Sequence, residues 1–199
     1  MRHSVETITD QPGRTTASAI EHEAPIEFEG KILDVDPAQM EQLILDKGGQ
    51  KLAERFMRRY VYDITPGDQS KWIRLRDTGD EVTLTVKQIT SDAIDGTHET
   101  EVRVDDFDTT NALLGVLGFT AKSYQETKRT SFLLDGAQVE IDTWPRIPPY
   151  VEIEAGSKDE VVRVAALLGY AEEELTGENT IKVYALYGID LNTIPDLRF

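Results

Sequence analysis

The sequence predicts an α+β fold in which an eight-stranded, mainly antiparallel β-barrel has helices packed outside it. Three observations favour this fold. About eight short segments alternate polar and apolar residues with the period of two that is typical of strands. Most joints between them are short and hairpin-like, which favours antiparallel pairing. Three or four helical segments lie between or after the strands, and closing the sheet would remove the edges that so many strands otherwise expose.

In the first half of the chain, cap and turn residues separate one predicted helix from four predicted strands. Asp36 is a good helix N-cap, Pro37 suits the first helical position, and Gly48 suits the end of that helix. A turn over residues 65–70 and a hairpin turn over 78–80 separate the later strands. The predicted strands cover residues 26–35, 51–64, 71–77 and 81–89.

The second half continues this mixture of strands and helices. Asp135 and Gly136 form a tight-turn pair between two strands. Ser157 and Glu160 match a capping box that opens a helix, and Gly169 ends it. The predicted strands cover residues 97–104, 122–134, 137–144 and 150–155, and two further helices are predicted over 106–117 and about 178–187.

Length and composition indicate one globular domain and exclude several classes of protein. Of the 199 residues, 39% are hydrophobic and 29% are charged. The chain has no cysteine, which excludes disulfides, thiol nucleophiles and cysteine-ligated metals. No segment reaches the roughly 20 consecutive apolar residues of a membrane helix, and residues 1–24 do not contain the apolar core of a signal peptide. We therefore expect a cytoplasmic protein with a disordered N-terminal tail over residues 1–24.

The net charge of −16, from 21 basic and 37 acidic residues, limits the partners of this chain. Such a surface repels nucleic-acid backbones and anionic membranes, so we expect neither as a partner. Divalent metal ions are natural partners for so many carboxylates, whereas a small anionic ligand would need a shielded cluster of bases. The sequence is compatible with a monomer or a homodimer.

The first strand carries three charged residues on one face. Glu27, Glu29 and Lys31 alternate with apolar residues, so all three side chains project the same way. A solvated outer face is one interpretation, but the arrangement recurs on other strands, and a solvated face usually mixes its charges with Ser, Thr and Gln. The other charged residues in same-face positions are Arg74, Arg76, Lys87, Glu99, Glu101, Arg129, Glu140, Asp142, Glu152 and Glu154.

If the strands close with these faces inward, the interior of the barrel is a wet, charged channel. Bases would lie along one wall and acids along the other. Burying unpaired charges costs several kcal/mol each, which excludes a dry and empty interior. A polyanion bridged by hard cations would satisfy both walls, because Arg and Lys bind phosphate oxygens while carboxylates hold Mg²⁺ or Mn²⁺.

The order of these motifs resembles the CYTH, or triphosphate tunnel metalloenzyme, superfamily. The segment E-F-E-G-K at residues 27–31 looks like the ExExK signature of that superfamily. The segments I-R-L-R, L-T-V-K, E-T-E, K-R, V-E-I-D and V-E-I-E follow in the order expected for it. The resemblance covers roughly residues 25–187, which leaves 188–199 as a C-terminal tail. It implies an eight-stranded antiparallel tunnel that binds a linear triphosphate with Mg²⁺ or Mn²⁺.

The resemblance also implies roles for individual residues. Lys31, Glu29 and Arg74 are the expected catalytic residues. The expected phosphate-binding residues are Lys31, Arg74, Arg76, Lys87 and Arg129, with Lys182 as a possible replacement contact. The expected metal-binding residues are Glu27, Glu29, Glu140, Asp142, Glu152 and Glu154, and Glu99 and Glu101 are further candidate tunnel residues.

Two departures from the family pattern concern the phosphate contacts. Many relatives carry Lys-x-Arg on the sixth strand, but Thr127 stands at the matching position here, and Lys128 falls on the opposite face. Many relatives also end with a Ser-Tyr pair, whereas this chain has Lys182-Val183-Tyr184. These departures place one phosphate contact in question.

Other charged and aromatic residues have simpler interpretations. The basic run over residues 55–59 is expected on a solvated strand, although it could line the tunnel mouth. Trp72 and Trp144 are expected in the outer core of the barrel, and His98 is expected to point outward.

The expected reaction is metal-dependent cleavage of a phosphoanhydride bond in a small-molecule triphosphate. If water is the nucleophile, the protein is a triphosphatase that acts on inorganic, thiamine or nucleoside triphosphate. If the ribose 3′-hydroxyl of ATP attacks, it is a class IV adenylyl cyclase that forms cyclic AMP and pyrophosphate. No adenine-binding motif is visible, and hydrolysis is favoured because it requires the fewest additional features. A non-catalytic nucleotide or polyphosphate sensor is the third hypothesis.

Overall fold

The computed structural model describes residues 26–199, so the tail expected over residues 1–24 lies outside the described part of the chain. Within it, four α-helices accompany nine strands. The helices are α1 (Pro37–Asp46), α2 (Phe107–Val116), α3 (Lys158–Leu167) and α4 (Thr180–Leu186). The strands are β1 (Ile26–Ile32), β2 (Gln50–Asp63), β3 (Lys71–Asp77), β4 (Val82–Ile89), β5 (Thr97–Val104), β6 (Ala121–Leu134), β7 (Ala137–Thr143), β8 (Tyr150–Ala155) and β9 (Asp196–Leu197).

Eight of these strands close into an antiparallel barrel, as the sequence predicts. Around the ring the order is β1, β5, β4, β3, β2, β6, β7 and β8, and β8 returns to β1. Every neighbouring pair in the ring is antiparallel. The short β9 adds to β6 in parallel, outside the ring. Closure therefore uses the long strands β2 and β6 as the seam.

Local signals at helix and turn boundaries act as the sequence indicates. The Asp36 side chain accepts a hydrogen bond from the backbone N–H of Gln39 in α1, and the Ser157 side chain accepts one from the backbone N–H of Glu160 in α3. Asp135 and Gly136 have φ values of 49° and 87°, which suits the two-residue turn between β6 and β7. The first strand ends earlier than predicted, at Ile32, because Asp34 turns the chain with a φ of 58°.

The hydrophobic core lies between the barrel wall and the outer helices. Helices α1 and α3 cover β1, β7 and β8, where Ile44, Val164 and Val139 are fully buried. A second cluster packs α4 and the C-terminal segment around Trp144 and Tyr184. Since the apolar sides of the strands face outward into these clusters, their charged sides face the lumen.

Gly30 lets α3 pack closely on the strand that carries Glu29 and Lys31. A Cβ atom at this position would lie 3.0 Å from Cγ1 of Val161 and 3.6 Å from Cδ1 of Leu175. Packing α3 against the outer face of β1 helps to fix the direction of the neighbouring side chains into the barrel.

The last residues of the chain pack on the barrel. The segment over residues 188–199, expected as a tail, forms a 3₁₀ turn at Leu191–Thr193 and then β9. Leu191 and Leu197 are buried in the cluster around Trp144. None of the helices in the described residues is long and apolar enough to cross a membrane.

Candidate active site

The lumen of the barrel is a cavity of about 690 Å³ lined largely by charged side chains. It collects residues from all eight barrel strands, which explains why the charged pairs recur along the sequence. All but one of the predicted site residues line it. Those that do are Glu27, Glu29, Lys31, Arg74, Arg76, Lys87, Glu99, Glu101, Arg129, Glu140, Asp142, Glu152 and Glu154.

Lys31 is held between carboxylates of two neighbouring strands. Its Nζ atom lies 3.1 Å from Oε1 of Glu29 and 3.3 Å from Oε2 of Glu152. The residue is only 2% exposed. Burial opposes its charge, but the attraction of Glu29 and Glu152 outweighs burial and raises the pKa of Lys31. The ammonium group therefore remains charged in the lumen.

Arg129 organises the acids of β7 and β8. Its Nε and Nη2 atoms donate hydrogen bonds to the two carboxylate oxygens of Asp142, and Nη2 also lies 3.1 Å from Oε1 of Glu152. Glu140 forms a further ion pair with Nη1. Burial raises the pKa of Asp142 despite the attraction of Arg129, whereas Lys31 and Arg129 overcome burial and lower the pKa of Glu152. Three acids and one base thus form a connected network.

A second network joins β1, β3, β4 and β5. Arg74 contacts Glu99 and Glu101, while Nζ of Lys87 lies 2.9 Å from Oε2 of Glu99 and 3.1 Å from Oε2 of Glu27. Against the effect of burial, Arg74 and Lys87 lower the pKa of Glu99 to about 2. Burial and a hydrogen bond with Glu99 raise the pKa of Glu27 to about 8. The pKa values of Glu27 and Glu99 are therefore shifted in opposite directions.

Arg59 is a lumen residue that the sequence analysis expected on a solvated strand. It lines the cavity with Met57 and Val61 of the same strand. Burial and repulsion by Arg74 lower the pKa of Arg59 to about 9, and repulsion by Arg74 with burial lowers that of Arg76 to about 10. The alternation of Met57, Arg59 and Val61 was the available signal, but its face could be assigned only from the closed barrel.

Two guanidinium groups also have unpartnered buried donors. The Nε atoms of Arg74 and Arg76 are buried and make no hydrogen bond within the described residues. Such donors are costly when they lack an acceptor. Oxygen atoms of an anion in the lumen would satisfy them.

Lys182 is the predicted phosphate contact that the structure does not bring to the others. It lies on α4, and its ammonium group pairs with Asp92 at an exposed position. Instead, Asn179, Thr180 and Ile181 from the start of α4 line the cavity. The helix therefore closes part of the barrel end with uncharged residues.

The sixth strand has the side-chain directions that the departure from the family pattern predicts. Thr127 lines the cavity and is 4% exposed. Lys128 points outward, where Nζ lies 4.5 Å from the centre of the Phe199 ring. No base at residue 127 or 128 therefore reaches the lumen from β6.

Both tryptophans line the cavity, and Trp144 also belongs to the outer cluster, as the sequence predicts. Trp144 packs edge-on against Tyr184 in the outer cluster, and the guanidinium of Arg59 lies 4.3 Å from its ring centre on the cavity side. Tyr184 is buried and donates a hydrogen bond to the carbonyl of Pro145. His98 is not among the cavity-lining residues.

The acids of β1, β7 and β8 suit a hard divalent cation. Strand pairing sets Glu29 opposite Glu154 and Glu140 opposite Glu152. Burial, with repulsion by Glu152 and Glu29, raises the pKa of Glu154. Within residues 26–199 no three of these acids already converge as a metal cage, because bases hold several of them. A divalent cation would relieve the crowding of carboxylates, and oxygen donors are the ligands that Mg²⁺ and Mn²⁺ prefer.

Comparisons with known proteins agree with this fold. The family model for the CYTH domain matches residues 25–180. A conserved hypothetical protein from Pyrococcus furiosus has a similar structure, with a TM-score of 0.68, 21% identity, and coverage of 78% of this chain and 98% of that one. A putative adenylate cyclase from Vibrio parahaemolyticus has a TM-score of 0.67 and 14% identity, and the match covers 82% of this chain and 99% of that one.

A third similar structure is a putative adenylyl cyclase from Hippeastrum that is described as having a dominant triphosphatase activity. Its TM-score is 0.53 at 16% identity, with coverage of 82% of this chain and 96% of that one. At these identities the three structures show a shared fold. A search of curated protein sequences found no match.

Proposed function

This chain belongs to the CYTH family, and from that premise we propose that it is a metal-dependent triphosphatase. The family includes triphosphatases and putative adenylate cyclases. In this proposal the lumen binds a linear triphosphate, and water cleaves a phosphoanhydride bond. The observation that carries the proposal is a single cavity with two charged walls. The basic wall is formed by β2, β3, β4 and β6, and the acidic wall by β1, β5, β7 and β8. The basic wall also carries the unpartnered guanidinium donors.

The basic residues would bind the phosphate chain and stabilise charge on the leaving group. Lys31, Arg74, Arg76, Lys87 and Arg129 present nitrogen donors to the same cavity. When water attacks the terminal phosphorus, a P–O bond breaks and the departing diphosphate gains negative charge. Fixed cationic donors stabilise this charge without reorganising, which is the main catalytic contribution in phosphoryl transfer.

The carboxylates would hold the metal and orient the water. We assign metal binding to Glu27, Glu29, Glu140, Asp142, Glu152 and Glu154, with Mg²⁺ or Mn²⁺ as the ion. When bound, the metal would neutralise phosphate oxygens and lower the pKa of a bound water. Entry of the phosphate chain would exchange carboxylate partners of Lys31 and Arg129 for phosphate oxygens and release those carboxylates. Before the ligands bind, these ion pairs would neutralise the buried charges and hold the side chains in position.

A product assay tests the proposal and separates it from its alternatives. The protein is incubated with tripolyphosphate, thiamine triphosphate or ATP, each with Mg²⁺ or Mn²⁺. Orthophosphate release is the expected result. Cyclic AMP with pyrophosphate from ATP would instead identify a class IV adenylyl cyclase. Tight triphosphate binding without any of these products would overturn the enzyme assignment in favour of a sensor.

A further inference from the structure

Arg59 and Arg76 form a pair of like charges on the inner wall of the barrel. They are direct neighbours in the register of β2 and β3, and both line the cavity. Like charges in directly opposite positions destabilise a sheet. Within residues 26–199, Arg59 has no carboxylate oxygen within 4.0 Å, and the nearest acid of Arg76 is Glu101, 3.6 Å from Nη2. This part of the wall therefore has an excess of positive charge.

The orientation of Arg59 is set by two uncharged neighbours. Its Nε atom donates a hydrogen bond to Oε1 of Gln125 at 2.7 Å. Its guanidinium carbon lies 4.3 Å from the ring centre of Trp144, in a cation–π contact. These contacts hold the group in place without neutralising it, and they leave its terminal nitrogens available to a ligand. A preset but unneutralised guanidinium is suited to binding an anion.

The surroundings of this pair contrast with the opposite side of the lumen. The neighbouring inner positions of β6 are Ser123, Gln125 and Thr127, which carry no charge. The acids assigned to metal binding lie on β1, β7 and β8, and β1 is across the ring from β2. Asp142 of β7 attracts Arg59 but forms its hydrogen bonds with Arg129. Burial and repulsion by Arg74 depress the pKa of Arg59, and repulsion by Arg74 together with burial depresses the pKa of Arg76. An anion bound beside them would therefore stabilise both charges.

We propose that Arg59, together with Arg76, forms a distinct subsite for the phosphoryl group at the end of the triphosphate that lies across the ring from the acids of β1 and β8. This inference rests on the proposed function and extends it. The subsite would make the lumen selective for a chain of three phosphates, because a shorter chain anchored at the acids of β1 and β8 would leave the two guanidinium groups without a phosphoryl partner. It also supplies a base on β2 near the inner position of β6 where Thr127 stands.

The first test compares binding of two phosphate chains to Arg59→Gln and to the wild type. Tryptophan fluorescence or calorimetry follows titration with tripolyphosphate or pyrophosphate, in EDTA and again with Mg²⁺. Loss of a charge-assisted contact should raise the tripolyphosphate dissociation constant roughly 10- to 100-fold. The dissociation constant of pyrophosphate with Mg²⁺ should change by less than about threefold, because pyrophosphate would make no contact with Arg59. An equal change for both ligands, or none for either, would overturn the subsite.

Arg55→Gln is the matched control on the same strand. Arg55 pairs with Asp80 at 2.8 Å near an exposed turn and does not line the cavity. The Arg55→Gln variant should bind tripolyphosphate and pyrophosphate with the dissociation constants of the wild type. If Arg55→Gln lost as much affinity for tripolyphosphate as Arg59→Gln, the effect would be a non-specific one of charge, and this result would also contradict the proposal.

Thermal unfolding distinguishes binding from a merely structural role. Without ligand, Arg59→Gln should melt at the wild-type temperature or above it, because the change removes repulsion with Arg74 and Arg76. With tripolyphosphate, the stabilisation of the wild type should exceed that of the variant. A lower ligand-free melting temperature with the same ligand-induced shift would identify Arg59 as structural.

The outcome for the wild type separates this inference from the proposed function. If the wild type binds and hydrolyses tripolyphosphate but Arg59→Gln behaves identically, only the subsite is wrong. If the wild type neither binds nor cleaves any triphosphate, the proposed function is wrong, and the subsite is wrong with it.

Discussion

Arg129 and Asp142 face each other across β6 and β7 and are joined by two hydrogen bonds, each 2.6 Å long. Asp142 is 1% exposed, so this pair is largely removed from solvent. The fork geometry orients Arg129 toward the lumen and toward Glu152. The pair is therefore a support for the acidic wall as well as a part of it.

Replacing Asp142 with Asn should destabilise the protein while leaving its shape intact. The amide preserves one acceptor but removes the charge, so a buried guanidinium loses its bidentate partner. We expect a loss of about 1–3 kcal/mol in the free energy of unfolding. Urea denaturation followed by circular dichroism measures this loss.

Asp80→Asn is the matched control for that substitution. Asp80 pairs with Arg55 at a largely exposed position. Exposed pairs contribute little, so the control should stay within about 0.5 kcal/mol of the wild type. Equal losses in the two variants would contradict a supporting role for the buried pair.

Glu29→Gln and Lys31→Ala should abolish turnover without unfolding the chain. Both residues line the cavity, and Nζ of Lys31 contacts Glu29. Loss of a fixed charge at the reacting phosphates should lower kcat by roughly 100-fold or more. A steady-state assay with each triphosphate measures the loss. Lys51→Ala, which removes a surface pair with Glu41, should retain the wild-type rate. Unchanged rates in either lumen variant would count against the site assignment.

Metal dependence should be visible at Glu154. EDTA should stop turnover, and added Mg²⁺ or Mn²⁺ should restore it. Glu154→Gln should increase the metal concentration needed for half-maximal rate by roughly 10-fold or more, because an amide is a weaker ligand for a hard cation than a carboxylate. Titration of the rate with metal at saturating triphosphate tests this. Glu54→Gln, on the exposed part of β2, should leave the titration unchanged.

Leu197 should stabilise the domain although only Arg198 and Phe199 follow it in the sequence. Its side chain is fully buried in the cluster around Trp144. Leu197→Ala should cost about 2–4 kcal/mol, whereas Leu117→Ala, at a 65% exposed position, should cost less than about 0.5 kcal/mol. Chemical denaturation compares the two. A wild-type midpoint for Leu197→Ala would mean that the C-terminal segment does not stabilise the barrel.

Sequence patterns predicted the barrel well because its signals are local. Alternation located the eight barrel strands, and cap residues such as Asp36 and Ser157 located the starts of α1 and α3. These signals depend on neighbours within a few residues. The end of β1 was harder to place, since Asp34 adopts a left-handed conformation that its residue type permits but does not require.

The location of individual charges was predicted less completely. Charged pairs on several strands were correctly assigned to one face, because two same-sign residues separated by one position are a strong alternating signal. Arg59 was expected on a solvated strand, with the tunnel mouth as the alternative, because it is flanked by Arg58 and lies on a strand with arginines on both faces. Lys182 was assigned to the site from the family resemblance, but α4 places its ammonium group beside Asp92.

The sequence alone determined that charged faces alternate with apolar faces on eight strands, because side-chain direction in a strand follows from position. Only the tertiary structure decided which charges meet. Ring closure between β2 and β6 brings Arg59 beside Gln125, and the register of β2 with β3 sets it opposite Arg76. Contacts between residues far apart in the chain depend on strand order, stagger and closure, which no local pattern encodes.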